Sequence, residues 1–140
     1  MSDETSFVDT NILIYAYDED AGEKHDTANR ILGDLWQRRS GALSTQVLQE
    51  FYVTVTRKLS KPLGKRAARD VVWTYRVWSP HRPDIEDVLD ASKLEERHRL
   101  AFWDALVVVS AGRCGASQLI SEDFNDGQRF GELTIVNPFR

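Results

Sequence analysis

Four acidic side chains lie far apart in the chain, and each sits where a hydrophobic segment begins or ends. They are Asp9, Glu50, Asp104 and Asp123. Asp9 closes the apolar run Phe7-Val8, and Asp123 follows the run Leu119-Ile120 after two polar residues. Glu50 borders the apolar stripe of a predicted helix, and Asp104 opens a segment that is apolar on nearly every side. A carboxylate in such surroundings needs a partner, because burying an unpaired charge is costly.

A hard divalent cation is the partner that four converging carboxylates require. Without a cation they would repel one another and raise their own pKa values. The sequence therefore predicts Mg²⁺ or Mn²⁺ as cofactor. Such an ion lowers the pKa of a bound water and shields charge that builds on phosphorus, so the expected chemistry is phosphodiester hydrolysis.

The acids converge only if the fold brings them together, and the hydrophobic pattern predicts a suitable α/β chain. Strands are predicted at 6 to 9, 42 to 45, near 78 to 80, 118 to 121 and 133 to 136; helices are predicted at 11 to 17, 23 to 39, 46 to 60, 65 to 77, 84 to 98 and 102 to 113. This alternation favours three layers, with a central, mostly parallel sheet covered by helices on both faces. Ligands of such sheets bind outside the carboxyl ends of the strands, where Asp9 and Asp123 are expected.

Five segments in order along the chain resemble the PIN-domain nucleases. They are residues 7 to 15 (FVDTNILIY), 46 to 53 (QVLQEFYV), 102 to 106 (FWDAL), 119 to 128 (LISEDFNDGQ) and 135 to 139 (IVNPF). Within that family the chain most resembles the VapC-type ribonuclease toxins of toxin-antitoxin pairs. The resemblance implies a three-layer PIN-like fold and a Mg²⁺-dependent endoribonuclease. It also implies a homodimer and a cognate antitoxin whose carboxyl-terminal segment covers the acidic pocket.

The resemblance also assigns roles within the acidic site. Asp9, Asp104 and Asp123 match the metal-holding acids, and Glu50 would position or deprotonate the attacking water. Supporting polar residues would be Thr10 or Asn11, together with Ser121. Glu122 and Asp126 lie close enough in sequence to Asp123 to be alternative fourth acids, although Asp126-Gly127 is most simply a turn.

Basic residues are concentrated in the middle of the chain, although the whole chain has a net charge of -4. Residues 35 to 83 hold ten Lys and Arg against two acids, a surplus of eight positive charges. A basic surface beside the site would serve the backbone contacts of an RNA substrate. The preferred contacts are Arg57, Lys58, Lys61, Lys65 and Arg66, each of which could equally belong to an ordinary solvated helix face.

Composition predicts one soluble domain spanning residues 1 to 140. The chain lacks an apolar run of bilayer-spanning length, and its polar start, Met1 to Glu4, is unlike a signal peptide. We therefore expect a cytoplasmic protein without a membrane partner. A single cysteine, Cys114, excludes an internal disulfide and a thiolate zinc cluster.

Other interpretations of the same residues remain open. Asp9 could simply cap a helix, and Asp104 could be a first-turn acid favoured by the helix dipole. A metal-independent ribonuclease would need a paired acid and base, and His25, His81 and His98 have no obvious partner in the sequence. The main alternative is a PIN-like RNA-binding or scaffold protein whose acids are retained but whose metal site is idle.

Overall fold

The computed structural model describes residues 4 to 140. Met1 to Asp3, on which part of the expectation about the amino terminus depends, lie outside the described residues. No helix within residues 4 to 140 combines the length and apolar character that crossing a membrane requires.

A five-stranded sheet forms the centre of the molecule, in the order β2-β1-β3-β5-β4. Its strands are β1 (Ser6–Val8), β2 (Gly41–Ala42), β3 (Gln118–Ile120), β4 (Arg129–Phe130) and β5 (Leu133–Val136). All neighbours pair in parallel except β4 and β5. The prediction of a mostly parallel sheet is confirmed.

Six α-helices within residues 4 to 140 accompany the sheet. They are α1 (Thr10–Ala16), α2 (Glu23–Arg38), α3 (Thr45–Arg57), α4 (Lys65–Tyr75), α5 (Ile85–His98) and α6 (Phe102–Arg113). Successive strand side chains point to opposite faces of a sheet. Since Phe7 and Val8 of β1 are both fully buried, both faces of the sheet are covered.

Helix starts follow the capping chemistry of the sequence. Asp9 caps α1 through the Thr10 backbone N–H, and Ser44 caps α3 through the Val47 N–H. The side chains of Ser, Asp and similar residues accept hydrogen bonds from N–H groups that a helix start leaves unpaired. Asp9 follows β1 directly, and Ser44 follows β2 after Leu43, so α1 and α3 begin at the same edge of the sheet.

Two local predictions need correction. The strand predicted near 78 to 80 does not form: Trp78 ends a 3-10 turn, Arg76–Trp78, which continues α4, and residues 79 and 80 lie in the loop that follows. Its Trp78 packs against Gly41 of β2, where a Cβ would lie only 2.3 Å from the indole ring. The pattern also gave no signal for β4, a two-residue strand paired antiparallel to β5.

Candidate metal centre

Asp9 lies at the carboxyl end of β1, where it is 4% exposed. One carboxylate oxygen accepts a hydrogen bond from the Thr10 N–H at 2.7 Å, and the other accepts one from the Ser121 hydroxyl at 2.7 Å. Burial raises the pKa of Asp9 from 3.8 to about 7. The two hydrogen bonds oppose that shift, and the charges of Asp123 and Asp104 add to it. The carboxylate therefore lacks a compensating positive charge.

Asp123 lies in the loop that follows β3, beside the start of α1. Its carboxylate accepts a hydrogen bond from the Asn11 amide at 3.0 Å, and its backbone N–H donates to the Ser121 hydroxyl at 3.0 Å. Partial burial raises its pKa, the Asn11 hydrogen bond lowers it, and the charges of Glu122 and Glu50 raise it further. Ser121 therefore joins Asp123 to Asp9, and Asn11 ties Asp123 to α1.

The two alternative fourth acids are engaged elsewhere. Glu122 accepts a hydrogen bond from the Tyr15 hydroxyl and forms an ion pair with Lys24 at 3.0 Å. The Asp126 carboxylate accepts a hydrogen bond from the backbone N–H of Asn137 at 2.8 Å and pairs with Arg140 at 2.7 Å. Of the three acids in this loop, only Asp123 has a side chain bonded to a residue of the predicted site.

Glu50 reaches the same place from the middle of α3. The Thr10 hydroxyl donates to one of its carboxylate oxygens at 2.6 Å. A cleft of about 500 Å³ opens here, and its lining includes Thr10, Asn11, Glu50, Asp123 and Lys58. Thr10 thus carries both a backbone contact to Asp9 and a side-chain contact to Glu50.

Asp104 lies in the first turn of α6 and is half-buried. Burial raises its pKa, and the charges of Asp123 and Glu50 add to the effect. The Gln46 amide of α3 donates to the backbone carbonyl of Trp103 at 3.3 Å, which ties the start of α6 to the helix that carries Glu50.

The structure brings all four predicted acids together. Each of Asp9, Asp104 and Asp123 has its pKa raised by at least one other member of the set. Within the described chain, no lysine, arginine or histidine lies at ion-pairing distance from any of the four. Uncompensated carboxylates in this number suit a dication, whose preferred ligands are oxygens.

The four carboxylates are not arranged as a closed coordination shell. Among residues 4 to 140, no three side chains of His, Cys, Asp or Glu already converge in a geometry that could hold one ion. Hydrogen bonds from Ser121, Asn11 and Thr10 satisfy Asp9, Asp123 and Glu50 instead. The open arrangement of the four carboxylates is consistent with repulsion between their like charges.

One histidine contradicts the expectation from sequence. His81 has an acid partner, because its Nε2 lies 2.7 Å from the Asp87 carboxylate. Asp87 is 2% exposed, accepts from Arg113 at 2.8 Å and completes the capping box at the start of α5. Burial pushes the pKa of Asp87 upward, but hydrogen bonds from Asp84, His81 and Arg113 outweigh it and lower the pKa. This network joins α5, α6 and the loop at His81. The pairing of His81 with Asp87 therefore has a structural role.

The predicted RNA contacts separate into three groups. Lys58 lines the acidic cleft. Lys61 lies 3.9 Å from Asp20. Arg57, Lys65 and Arg66 are exposed and line neither this cleft nor the larger trough beside α4. Their role in binding stays a prediction.

Two residues of the site were missed from sequence. Gln46 positions Asp104 through Trp103, and Gln49 lines the cleft beside Glu50. Gln46 precedes Glu50 by four residues, so helical spacing alone places it on the same face of α3. That spacing was the signal in the sequence that could have identified Gln46.

Comparison with known proteins agrees with this fold. Ribonuclease VapC24 of Mycobacterium tuberculosis is 26% identical over 138 residues, covering 94% of each chain. A toxin-antitoxin complex from Klebsiella pneumoniae superposes with a TM-score of 0.66 at 18% identity, covering 96% of this chain and 98% of that one. VapC20 of Mycobacterium tuberculosis, a toxin that cleaves the sarcin-ricin loop, gives a TM-score of 0.62 at 21% identity, covering 82% and 87%. The model of the PIN domain family matches residues 6 to 129, a span that includes all four acids, and the chain therefore belongs to the PIN domain family.

Proposed function

We propose that this protein is a divalent-metal-dependent endoribonuclease and the toxin of a toxin-antitoxin pair. The observation that carries the proposal is the proximity of Asp9, Glu50, Asp104 and Asp123, none of which forms an ion pair with a described residue. The similarity to ribonuclease VapC24 supports RNA as the substrate. The fold shared with a toxin-antitoxin complex supports an antitoxin partner.

In the proposed site Asp9, Asp104 and Asp123 hold Mg²⁺ or Mn²⁺. Three features fit that role: carboxylate oxygens as donors, raised pKa values, and hydrogen bonds that orient Asp9 and Asp123. When bound, the cation lowers the pKa of a water molecule and shields the charge that develops on phosphorus.

Glu50 is proposed to orient and deprotonate the attacking water. The Thr10 hydroxyl binds one of its carboxylate oxygens at 2.6 Å, which fixes the group and leaves the second oxygen for a water proton. Attack by water leaves a 5'-phosphate and a 3'-hydroxyl, so the substrate's 2'-hydroxyl is not needed as nucleophile. Products that end in a 2',3'-cyclic phosphate would contradict this mechanism.

The test compares RNA cleavage by the wild type with that by Asp9→Asn and Asp26→Asn. Asp26 is an exposed acid of α2, so its variant controls for the change of one charge. We expect Mg²⁺-dependent cleavage by the wild type and Asp26→Asn, loss of cleavage in Asp9→Asn, and loss in EDTA. Equal cleavage by the wild type and Asp9→Asn would show a contaminating nuclease and overturn the proposal.

A PIN-like protein with an idle metal site is the second candidate. The absence of a preformed three-ligand shell among residues 4 to 140 favours it. Calorimetric titration with Mn²⁺ separates the two candidates, because an idle site would show the same heat in the wild type and in Asp9→Asn. We further propose a homodimer that acts in the cytoplasm without a membrane partner, which light scattering and cell fractionation can test.

A further inference from the structure

A second hollow, larger than the acidic cleft, lies on the other side of α3. It is a trough of about 1140 Å³ between α3, α4 and the loop that follows Trp78. Gln49 and Val53 of α3 line both hollows, so one helix separates the trough from the acids. Anything bound in the trough lies beside the proposed cleavage site.

Three arginines give the trough a positive rim. Arg69, Arg76 and Arg82 line it, against a single acid, Asp70. None of the three forms an ion pair with a carboxylate of residues 4 to 140. In a chain of net charge -4, three unpaired guanidinium groups on one hollow are suited to an anionic ligand.

The trough also offers aromatic and apolar surface. Trp73 is 66% exposed, and the Arg76 guanidinium carbon lies 3.8 Å from the centre of its ring. Tyr52 and Val72 contribute half-buried side chains to the lining. An exposed indole beside arginine is the combination on which proteins stack unpaired bases, while guanidinium groups bind the phosphates.

We propose that this trough binds single-stranded nucleotides of the RNA substrate that flank the cleaved bond. Trp73 stacks on a base, and Arg69, Arg76 and Arg82 bind phosphates. The acids of the cleft repel a phosphate backbone, so the flanking nucleotides need a separate cationic surface beside it. The trough, which shares Gln49 and Val53 with the cleft, is that surface. The inference rests on the proposed function and adds that the substrate is unpaired beside the cleavage site.

Binding is measured in EDTA, where cleavage is not expected, by the fluorescence anisotropy of a labelled twelve-nucleotide single-stranded RNA. The variants are Arg69→Gln, Arg76→Gln, Arg82→Gln, Trp73→Ala and Trp73→Phe. Arg30→Gln is the matched control, because Arg30 is an exposed arginine of α2 that lines neither hollow.

Each arginine variant should weaken binding, and the slope of log K against log salt should fall by roughly 0.7 for each lost phosphate contact. Trp73→Ala should weaken binding roughly tenfold, and Trp73→Phe should restore most of the loss, because stacking on a base needs an aromatic face. In cleavage assays with Mg²⁺, KM should rise while kcat stays within about twofold, because these residues bind substrate without touching the reacting atoms. A double-stranded RNA of the same length should bind more weakly than the single strand and respond little to Trp73→Ala.

The inference is overturned if the trough variants bind with the affinity and salt slope of Arg30→Gln. The same holds if the variants change the oligomeric state in light scattering at unchanged RNA affinity, which would assign the trough to a second copy of the chain. Failure of the proposed function looks different: the wild type would not cleave RNA in an Asp9-dependent way, yet could still bind it through the three arginines.

Discussion

Replacing Asp9 by asparagine should make the metal-free protein more stable at alkaline pH. The Asp9 carboxyl is buried and has its pKa raised from 3.8 to about 7, whereas the unfolded chain returns it to the ordinary value. A raised carboxyl pKa favours the folded state most below pH 3.8, and that contribution is lost as pH rises towards 7. At about 1.36 kcal/mol for each pKa unit, the total loss is about 4 kcal/mol.

The size of the effect follows from comparing two pH values. The pKa of Asp9 in the folded protein, about 7, lies about two units above pH 5. Between pH 5 and pH 8 the free energy of unfolding should therefore fall by about 3 kcal/mol more in the wild type than in Asp9→Asn. The hydrogen bonds from Ser121 and Thr10 lower the pKa of Asp9 and are already contained in its value of about 7, so they add no separate contribution to this difference.

The assay is urea unfolding of both proteins in EDTA at pH 5 and pH 8, followed by tryptophan fluorescence. Adding Mg²⁺ at pH 8 should stabilise the wild type and leave Asp9→Asn unchanged, because a ligand that binds only the folded state adds to its stability. A difference between the two proteins that stays constant from pH 5 to pH 8 would refute the reasoning. It would mean that Asp9 is not held as an uncompensated buried charge.

Three further changes test the surroundings of the site. Glu122→Gln should weaken the apparent Mg²⁺ affinity in cleavage assays roughly tenfold, because the ion pair with Lys24 holds the loop that presents Asp123. The control Glu132→Gln, at an exposed position, should leave that affinity unchanged. Asp87→Ala should lower the free energy of unfolding by about 3 kcal/mol in urea, since it removes the buried carboxylate that binds His81 and Arg113 and caps α5. Gly41→Ala should cost roughly 1 to 3 kcal/mol in the same assay, because the added methyl overlaps the Trp78 ring.

Each of these changes has an outcome that contradicts it. Equal Mg²⁺ dependence in Glu122→Gln and Glu132→Gln would mean that the Lys24 contact does not position Asp123. A change below about 0.5 kcal/mol in Asp87→Ala is typical of a surface substitution and would show that its network is not structural. Gly33→Ala in α2 is the control for Gly41, because the added methyl meets nothing within 4 Å and should stabilise the helix by about 1 kcal/mol.

Most of the fold was predictable because its signals are local. Buried strands such as β1 and β3 are recognisable as short apolar runs, and the polar residue Asp9 marks the start of α1. The segment at 78 to 80 was predicted wrongly because Trp78 looks like a strand residue until it is placed against Gly41. A two-residue strand such as β4 has too few side chains to show any period.

The identity of the fourth acid could not be read from sequence, because it depends on contacts from other elements. Glu122 and Asp123 are neighbours of the same charge. Tyr15 of α1 and Lys24 of α2 bind Glu122, while Asn11 binds Asp123. Only the folded arrangement of these elements separates an acid that fixes the loop from one that faces the site.

The positions of the basic side chains on the surface could not be predicted from sequence either. The surplus of positive charge between residues 35 and 83 was visible in the sequence, but the face on which each side chain lies depends on how α4 packs against α3. That packing puts Arg69 and Arg76 into the trough and leaves Lys65 and Arg66 at the exposed start of the helix. Because α3 carries Glu50 towards one hollow and presents Tyr52 to the other, this helix sets the distance between cleavage and binding. An RNA strand bound in both hollows, as proposed, would cross α3 at Gln49 and Val53. Bulky substitutions there should therefore impair cleavage of long RNA more than that of short RNA.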